Sequence, residues 1–175
     1  QTPRFKEWFG ESKIVDADGE PVVVYHGTAS DFTEFIPNAP TTPTGQDIEG
    51  MFFSGDSRNA GNYASRKKKE GATGRARVVP VYLSMKNPLD ITDLVNNREE
   101  GVSFGDAKKA ALAKADRAVH DGVIFKGDDV NGAEYVVFDS TQIKSTKNQG
   151  TFDAEDPNIL KQSTPLSAQP IDDIM

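Results

Sequence analysis

Three segments of this 175-residue chain carry residue types that could do chemistry: His26-Gly27-Thr28; Gly50-Met51-Phe52-Phe53-Ser54 with Tyr63 beyond it; and Glu134, which opens the apolar run Tyr135-Val136-Val137-Phe138. Between them they offer an imidazole, a carboxylate, aromatic rings, and glycines that let another group approach the backbone closely. The sequence has no cysteine and only two histidines. That removes thiolate nucleophiles, disulfides and cysteine-based or histidine-rich metal centres. Each segment also has a plainer explanation. A single histidine at a strand end is more often a hydrogen-bonded structural residue, and glycines serve turns. A tyrosine on a helix defaults to core, and a glutamate at a strand start defaults to the surface.

These residues need elements to hold them. Residues 3–10 read as a short helix, with Pro3 near its start, Phe5, Trp8 and Phe9 on one side, and Gly10 as its stop. Residues 12–25 read as a hairpin around Asp16-Ala17-Asp18-Gly19, and its second strand, Val22-Val23-Val24-Tyr25, delivers His26-Gly27-Thr28 at its end. Residues 29–49 hold Pro37, Pro40, Pro43 and Gly45 and form a long loop, with Phe32 and Phe35 pinning its base. A strand at 51–53 follows. Asp56 or Ser57 then caps a helix running to about Glu70. Residues 76–85 form a strand in which Pro80 signals an edge or a bulge. A helix at 106–119, strands at 122–125 and 134–138, and a further strand at Ile143 complete an α+β pattern.

The formal charge of −7 and pI near 4.9 oppose a broad electrostatic grip on nucleic acid. The exception is Arg66-Lys67-Lys68-Lys69 with Arg75 and Arg77, where a solvated helix end is favoured over a phosphate-contacting patch. No apolar run reaches the ~20 residues of a membrane span, and no secretory signal is visible at the start. These features point to no membrane partner. The absence of an initiator Met suggests a piece of a larger polypeptide. Residues 1–160 read as one domain, and 161–175 as a flexible tail or linker.

Taken in order, the three segments resemble the diphtheria-toxin-like and poly(ADP-ribose)-polymerase-like ADP-ribosyltransferases, the group named for a His-Tyr-Glu triad. The His-Gly-Ser/Thr motif is matched by His26-Gly27-Thr28. The Gly-x-Tyr-Phe strand and its following helix tyrosine are matched by Gly50 to Phe53 and by Tyr63. The Glu-Tyr-x-Val-Tyr-Asp strand is matched by Glu134-Tyr135-Val136-Val137-Phe138-Asp139. The chain is most similar to transferase domains in polyvalent proteins of phages and mobile elements, a likeness that also takes in residues 4–10, 82–89 and 151–160. One position departs from the pattern: the triad tyrosine is replaced by Phe52.

The resemblance implies a split β-sandwich of two mostly antiparallel sheets with peripheral helices, and an NAD⁺ cleft lined by His26, Phe52 and Glu134 on adjacent strands. Residues 29–49 would form a flap over it. NAD⁺ is implied as substrate, with no metal. Gly27 would hold the nicotinamide carboxamide through its backbone, and His26 the adenosine ribose. Thr28 and Ser54 would add cofactor contacts, and Phe52 and Tyr63 would sandwich the nicotinamide. Glu134, with His26 the catalytic pair, would accept from the nicotinamide-ribose 2′-OH and stabilise the cation that forms as nicotinamide leaves. Gly132 stands where arginine-modifying members carry Glu or Gln, which argues against that subgroup. Transfer of a single ADP-ribose is favoured, with a protein acceptor first and a nucleic-acid acceptor open. NAD⁺ hydrolysis on the same fold and an inactive NAD⁺-binding module are the alternatives.

Overall fold

The computed structural model describes residues 1–30, 32, 34–36, 50–127 and 132–160. Most of the expected flap at 29–49 and all of the expected tail therefore lie outside the described residues.

Helix α1 (Pro3–Phe9) starts on Thr2, whose hydroxyl accepts from the Phe5 N–H, and ends at Gly10 with φ 52°. Its buried Phe5, Trp8 and Phe9 pack with Tyr82 and Phe152. The segments flanking the three motifs thus meet in one aromatic cluster, and the Trp8 indole donates to the Thr141 carbonyl at 3.0 Å. Of the expected hairpin the turn forms, closed by one isolated bridge, while the strand read at Val22–Tyr25 begins only at Val24 and runs through Thr28. Val15 bridges Pro21, the Asp16 carboxylate accepts from the Asp18 and Glu20 N–H groups, and Gly19 takes φ 81°.

The strands are β1 (Val24–Thr28), β2 (Met51–Ser54), β3 (Arg77–Leu83), β4 (Leu89–Asp90), β5 (Gly122–Lys126), β6 (Ala133–Val137) and β7 (Ile143–Ser145). They pair in the order β4-β5-β6-β2-β1-β3-β7, antiparallel except for β4 with β5. By hydrogen bonding this is one seven-stranded sheet rather than the expected two. Its weakest join is β1 to β2, which share a single registered pair, Tyr25↔Ser54, whereas β1 and β3 share five. Pro80 lies in β3 where β7 runs out: β7 ends with Ser145 opposite Val81, so the donor that proline lacks faces no strand.

Alternation sorts side chains to two faces. On one face Val24, Met51, Phe53, Val81, Leu83, Ile124 and Val137 join Ile14, Phe35 and Ile159 in the first core. On the other, Val123, Phe125 and Val136 meet α3 (Thr92–Asn96) and α4 (Phe104–Leu112) in the second. Helix α2 (Ser57–Lys69), capped by Asp56 as expected, packs on β1 and β3. The C-terminal stretch docks too: Ile159 is buried in the first core, its carbonyl accepts from the Ser145 N–H, and the buried Lys144 ammonium donates to the Asp156 carbonyl.

Helix α4 corrects one expectation. It begins earlier, on a Ser103 cap, and ends at Leu112 rather than near Val119. Beyond Leu112 the chain turns on Asp116, whose carboxylate accepts from the Ala118 N–H and whose carbonyl accepts from Val119 and His120. Such local bonds compete with helix continuation, and Val119 is exposed rather than on an apolar face. Short β4 and α3 had no clear sequence signal. Among the described residues, no helix is long and apolar enough to cross a membrane.

Candidate active site

Glu134, Ser54 and Tyr25 form one cross-strand row, because Ser54 pairs with Glu134 on one side and with Tyr25 on the other. Directly paired residues point to the same face. Glu134, Ser54 and Phe52 therefore share the face carrying the second core, and Gly27, two residues on from Tyr25, shares it too. Helix α2 stands over β1 on this face and α4 over β5 and β6. The half-buried Phe52, Ser54 and Glu134 lie on β2 and β6, on the strip of sheet between the two helices, termed the trough.

Gly27 has two structural consequences. A Cβ built there would lie 1.8 Å from the Ala60 carbonyl oxygen and 3.1 Å from the Ala64 nitrogen, so only glycine lets the backbone of α2 settle on β1. The sequence assigned this glycine to ligand approach; the packing of α2 is a second and sufficient reason for it. The other consequence concerns its peptide groups. Pro80 has no N–H, so Tyr25↔Pro80 is a non-hydrogen-bonded pair, and by alternation so is Gly27↔Val78. The Gly27 N–H and C=O therefore point away from β3 toward β2, past the last β1–β2 pair.

His26 occupies that seam from the other side. Its Nδ1 donates to the Phe52 carbonyl at 2.8 Å, where a continuing β1–β2 ladder would have placed a backbone donor. The ring packs against Phe32, Phe35 and Phe53, which turns it to the first-core face, away from the trough. His26, Phe52 and Glu134 do lie on adjacent strands as expected, but His26 does not share a wall with Glu134. With Nδ1 protonated, a neutral His26 presents Nε2 as an acceptor.

Burial pushes the His26 pKa below 6.5, and the bond to Phe52 acts against that shift. The unfolded chain takes up a proton near pH 6.5 that the native ring resists, so stability is lost as pH falls through that value toward the lowered native one. Urea unfolding at about pH 7.5 and about pH 5.5 is expected to show this loss in the wild type and less of it in His26→Gln. Equal pH dependence in the two chains contradicts the buried neutral ring.

The remaining expected contacts are partly occupied by the fold. The Thr28 hydroxyl accepts from the Ser30 N–H at 3.0 Å and donates to the Ser30 carbonyl, closing the turn after β1. The Ser54 hydroxyl accepts from the Asp56 N–H at 3.1 Å at the entry to α2. Tyr63 sits on α2 with Arg66 and Lys67 over its ring at 5.1 and 5.4 Å. In the basic run, Arg66 pairs with Glu70 and Lys68 donates to the Ala72 and Thr73 carbonyls. These cations complement the negative end of the helix.

Sequence reasoning missed Lys108. From α4 its ammonium bonds Glu134 Oε2 and lies 5.7 Å from the centre of the Phe125 ring. Burial pushes it down to about 8. Only the position of a lysine on an alanine-rich helix hinted at it. A separate cleft of about 550 Å³ lies beyond the other end of β6, lined by Arg117, His120, Phe138 and Asp139 among others, and does not include Glu134. Among the described residues no group of His, Cys, Asp and Glu is placed to hold a metal ion.

Comparison with the curated proteins gives no significant match. Among solved structures, the crystal structure of an anti-CRISPR protein superposes with a TM-score of 0.39 at 11% identity, covering 70% of this chain and 91% of that one. That likeness is too slight to carry an argument. The family model described as ADP-ribosyltransferase in polyvalent proteins matches residues 16–152, a span that contains β1, β2, α2 and β6 with all three motif segments. The chain belongs to the ADP-ribosyltransferases of polyvalent proteins.

Proposed function

We propose that this domain breaks the nicotinamide–ribose bond of NAD⁺, the substrate of its family, and transfers a single ADP-ribose to a macromolecular acceptor, with protein favoured. The observation that carries this is the row Glu134–Ser54–Tyr25, which puts a carboxylate two strands away from the inward-facing Gly27 peptide groups. In this reading the Gly27 N–H and C=O match the two halves of the carboxamide, and Phe52 and Tyr63 hold the nicotinamide ring from the floor and from α2. The 2′-OH of the adjoining ribose donates to Glu134. Nicotinamide leaves uncharged and needs no acid. The positive charge left on the sugar exists chiefly in the transition state, where a fixed carboxylate stabilises it most. His26 braces the seam from the opposite face through its bond to the Phe52 carbonyl, and Thr28 and Ser54 border the cofactor while holding their turns. The seam between β1 and β2 is where the two-sheet split of the family fold would open.

The test is mass spectrometry of cell lysate incubated with NAD⁺ and the wild type or Glu134→Gln chain, searching protein and nucleic acid for added ADP-ribose. Adducts on protein that vanish in the variant are expected. Label found only on free ADP-ribose makes the domain a glycohydrolase instead. If nucleic acid is modified through the basic end of α2, the yield falls steeply with added salt; a flat response excludes that route.

Phe52 favours a second reading, an inactive NAD⁺-binding module, because the triad hydroxyl is absent. Calorimetry showing NAD⁺ binding by a wild type that releases no nicotinamide supports it; release lost in Glu134→Gln eliminates it.

A further inference from the structure

We propose that Lys108 is a positioning residue for Glu134, holding the carboxylate by Oε2 from α4 so that Oε1 is left to face the trough. This rests on the role given to Glu134 above. Among the described residues Lys108 is the one side-chain partner of Glu134, and it comes from a different element, 26 positions earlier in the chain.

Its own placement is constrained. Helix α4 is anchored by Ala107, Ala111 and Leu112 in the second core and by the Ser103 hydroxyl, which accepts from the Asp106 N–H. Phe104 packs edge-on against Phe125, the residue opposite Glu134 on β5. Lys108 thus leaves a fixed helix and passes the Phe125 ring before it reaches the carboxylate. The lysine side chain is 20% exposed and that of Glu134 is 36%. Lys108 is thus the more buried member of the pair.

A contact of this kind does more than a surface ion pair. An unrestrained glutamate on a strand end samples several rotamers, and each wrong one withdraws the acceptor from the ribose hydroxyl. One bond to Oε2 removes that freedom and leaves the lone pairs of Oε1 available. The cation also offsets the repulsion that the diphosphate of NAD⁺ would exert on Glu134. Lys108 itself touches no substrate atom in this arrangement, so its effect should fall on turnover rather than on NAD⁺ affinity.

The experiment is steady-state nicotinamide release by the wild type, Lys108→Met, Lys108→Arg, Glu134→Gln and the Lys108→Met/Glu134→Gln pair, with melting temperatures alongside. Lys108→Met is expected to lower kcat by about tenfold to a hundredfold with KM nearly unchanged, and Lys108→Arg to recover most of the loss. In the pair, the lysine change adds nothing to the effect of Glu134→Gln. An unchanged kcat in Lys108→Met, or multiplying effects in the pair, overturns the assignment. If Lys108→Met fails to fold, Lys108→Gln replaces it under the same criteria. A wild type that releases no nicotinamide takes away the transferase reading instead. Lys108 is then decided by its ammonium resonance in NMR spectra, which must move in Glu134→Gln; an unmoved resonance removes the pairing as well.

Discussion

Glu134→Gln is expected to slow nicotinamide release by about 10²–10³, equivalent to roughly 3–4 kcal/mol of transition-state stabilisation, while NAD⁺ still binds. The size follows from what the side chain would do. An ionised oxygen held against a developing sugar cation is worth far more than the neutral amide that replaces it, and the difference appears only as the bond breaks. Because Glu134 is only half-buried, its replacement costs the fold little. The Lys108 ammonium loses its carboxylate but keeps the face of Phe125 and access to water. The expected signature is a lowered kcat, a KM within a few-fold of wild type, and a melting temperature changed by a few degrees at most. A variant with wild-type turnover would show that the carboxylate at the start of β6 has no part in the reaction.

The second large effect is structural, and its consequence is functional. Gly27→Ala places a methyl group 1.8 Å from the Ala60 carbonyl oxygen, a backbone atom that no rotamer change can move aside. Either α2 lifts from β1 or β1 bends, and overpacking of this kind costs about 3 kcal/mol. For a domain of this size that lowers the melting temperature by about 6–12 °C. Since α2 carries Tyr63 and forms one wall of the trough, NAD⁺ binding should weaken along with the fold. Gly61→Ala in the same helix is the internal control. Its Cβ would make only an ordinary contact with Val78 at 3.7 Å, and replacing a helical glycine by alanine gains about 0.5–1 kcal/mol. Thermal melts of the two variants should therefore move in opposite directions. A Gly27→Ala chain that melts like the wild type would mean that α2 does not sit on β1 as described.

What the sequence made legible was mostly local. The Asp56 cap, the Gly10 stop and the Asp16–Gly19 turn are each set by neighbours within a few residues, and each formed where expected, whereas the strand read at Val22–Tyr25 begins at Val24 and runs on through Thr28. The three motif segments were legible as an ordered set, and the sheet does put them on adjacent strands. What could not be read depends on residues far apart in the chain. The single-pair join of β1 to β2, the close packing of α2 on Gly27 and the Lys108–Glu134 pair exist only once the sheet has formed. The early end of α4 was missed for another reason. The alanine-rich pattern continues past Leu112, but the bonds made by Asp116 override it. His26 shows the limit of motif reading: the resemblance implied that it lines one cleft with Phe52 and Glu134, and the three strands are adjacent, but aromatic packing with Phe32, Phe35 and Phe53 turns its ring to the other face.

The most direct measurement is a crystal structure of the Glu134→Gln chain with NAD⁺ bound. The nicotinamide carboxamide should pair with the Gly27 N–H and C=O, with the nicotinamide-ribose 2′-OH about 2.7 Å from the side chain at position 134. NAD⁺ seated elsewhere, for instance in the cleft around Arg117 and Phe138, would contradict the placement of the active site at the seam between β1 and β2.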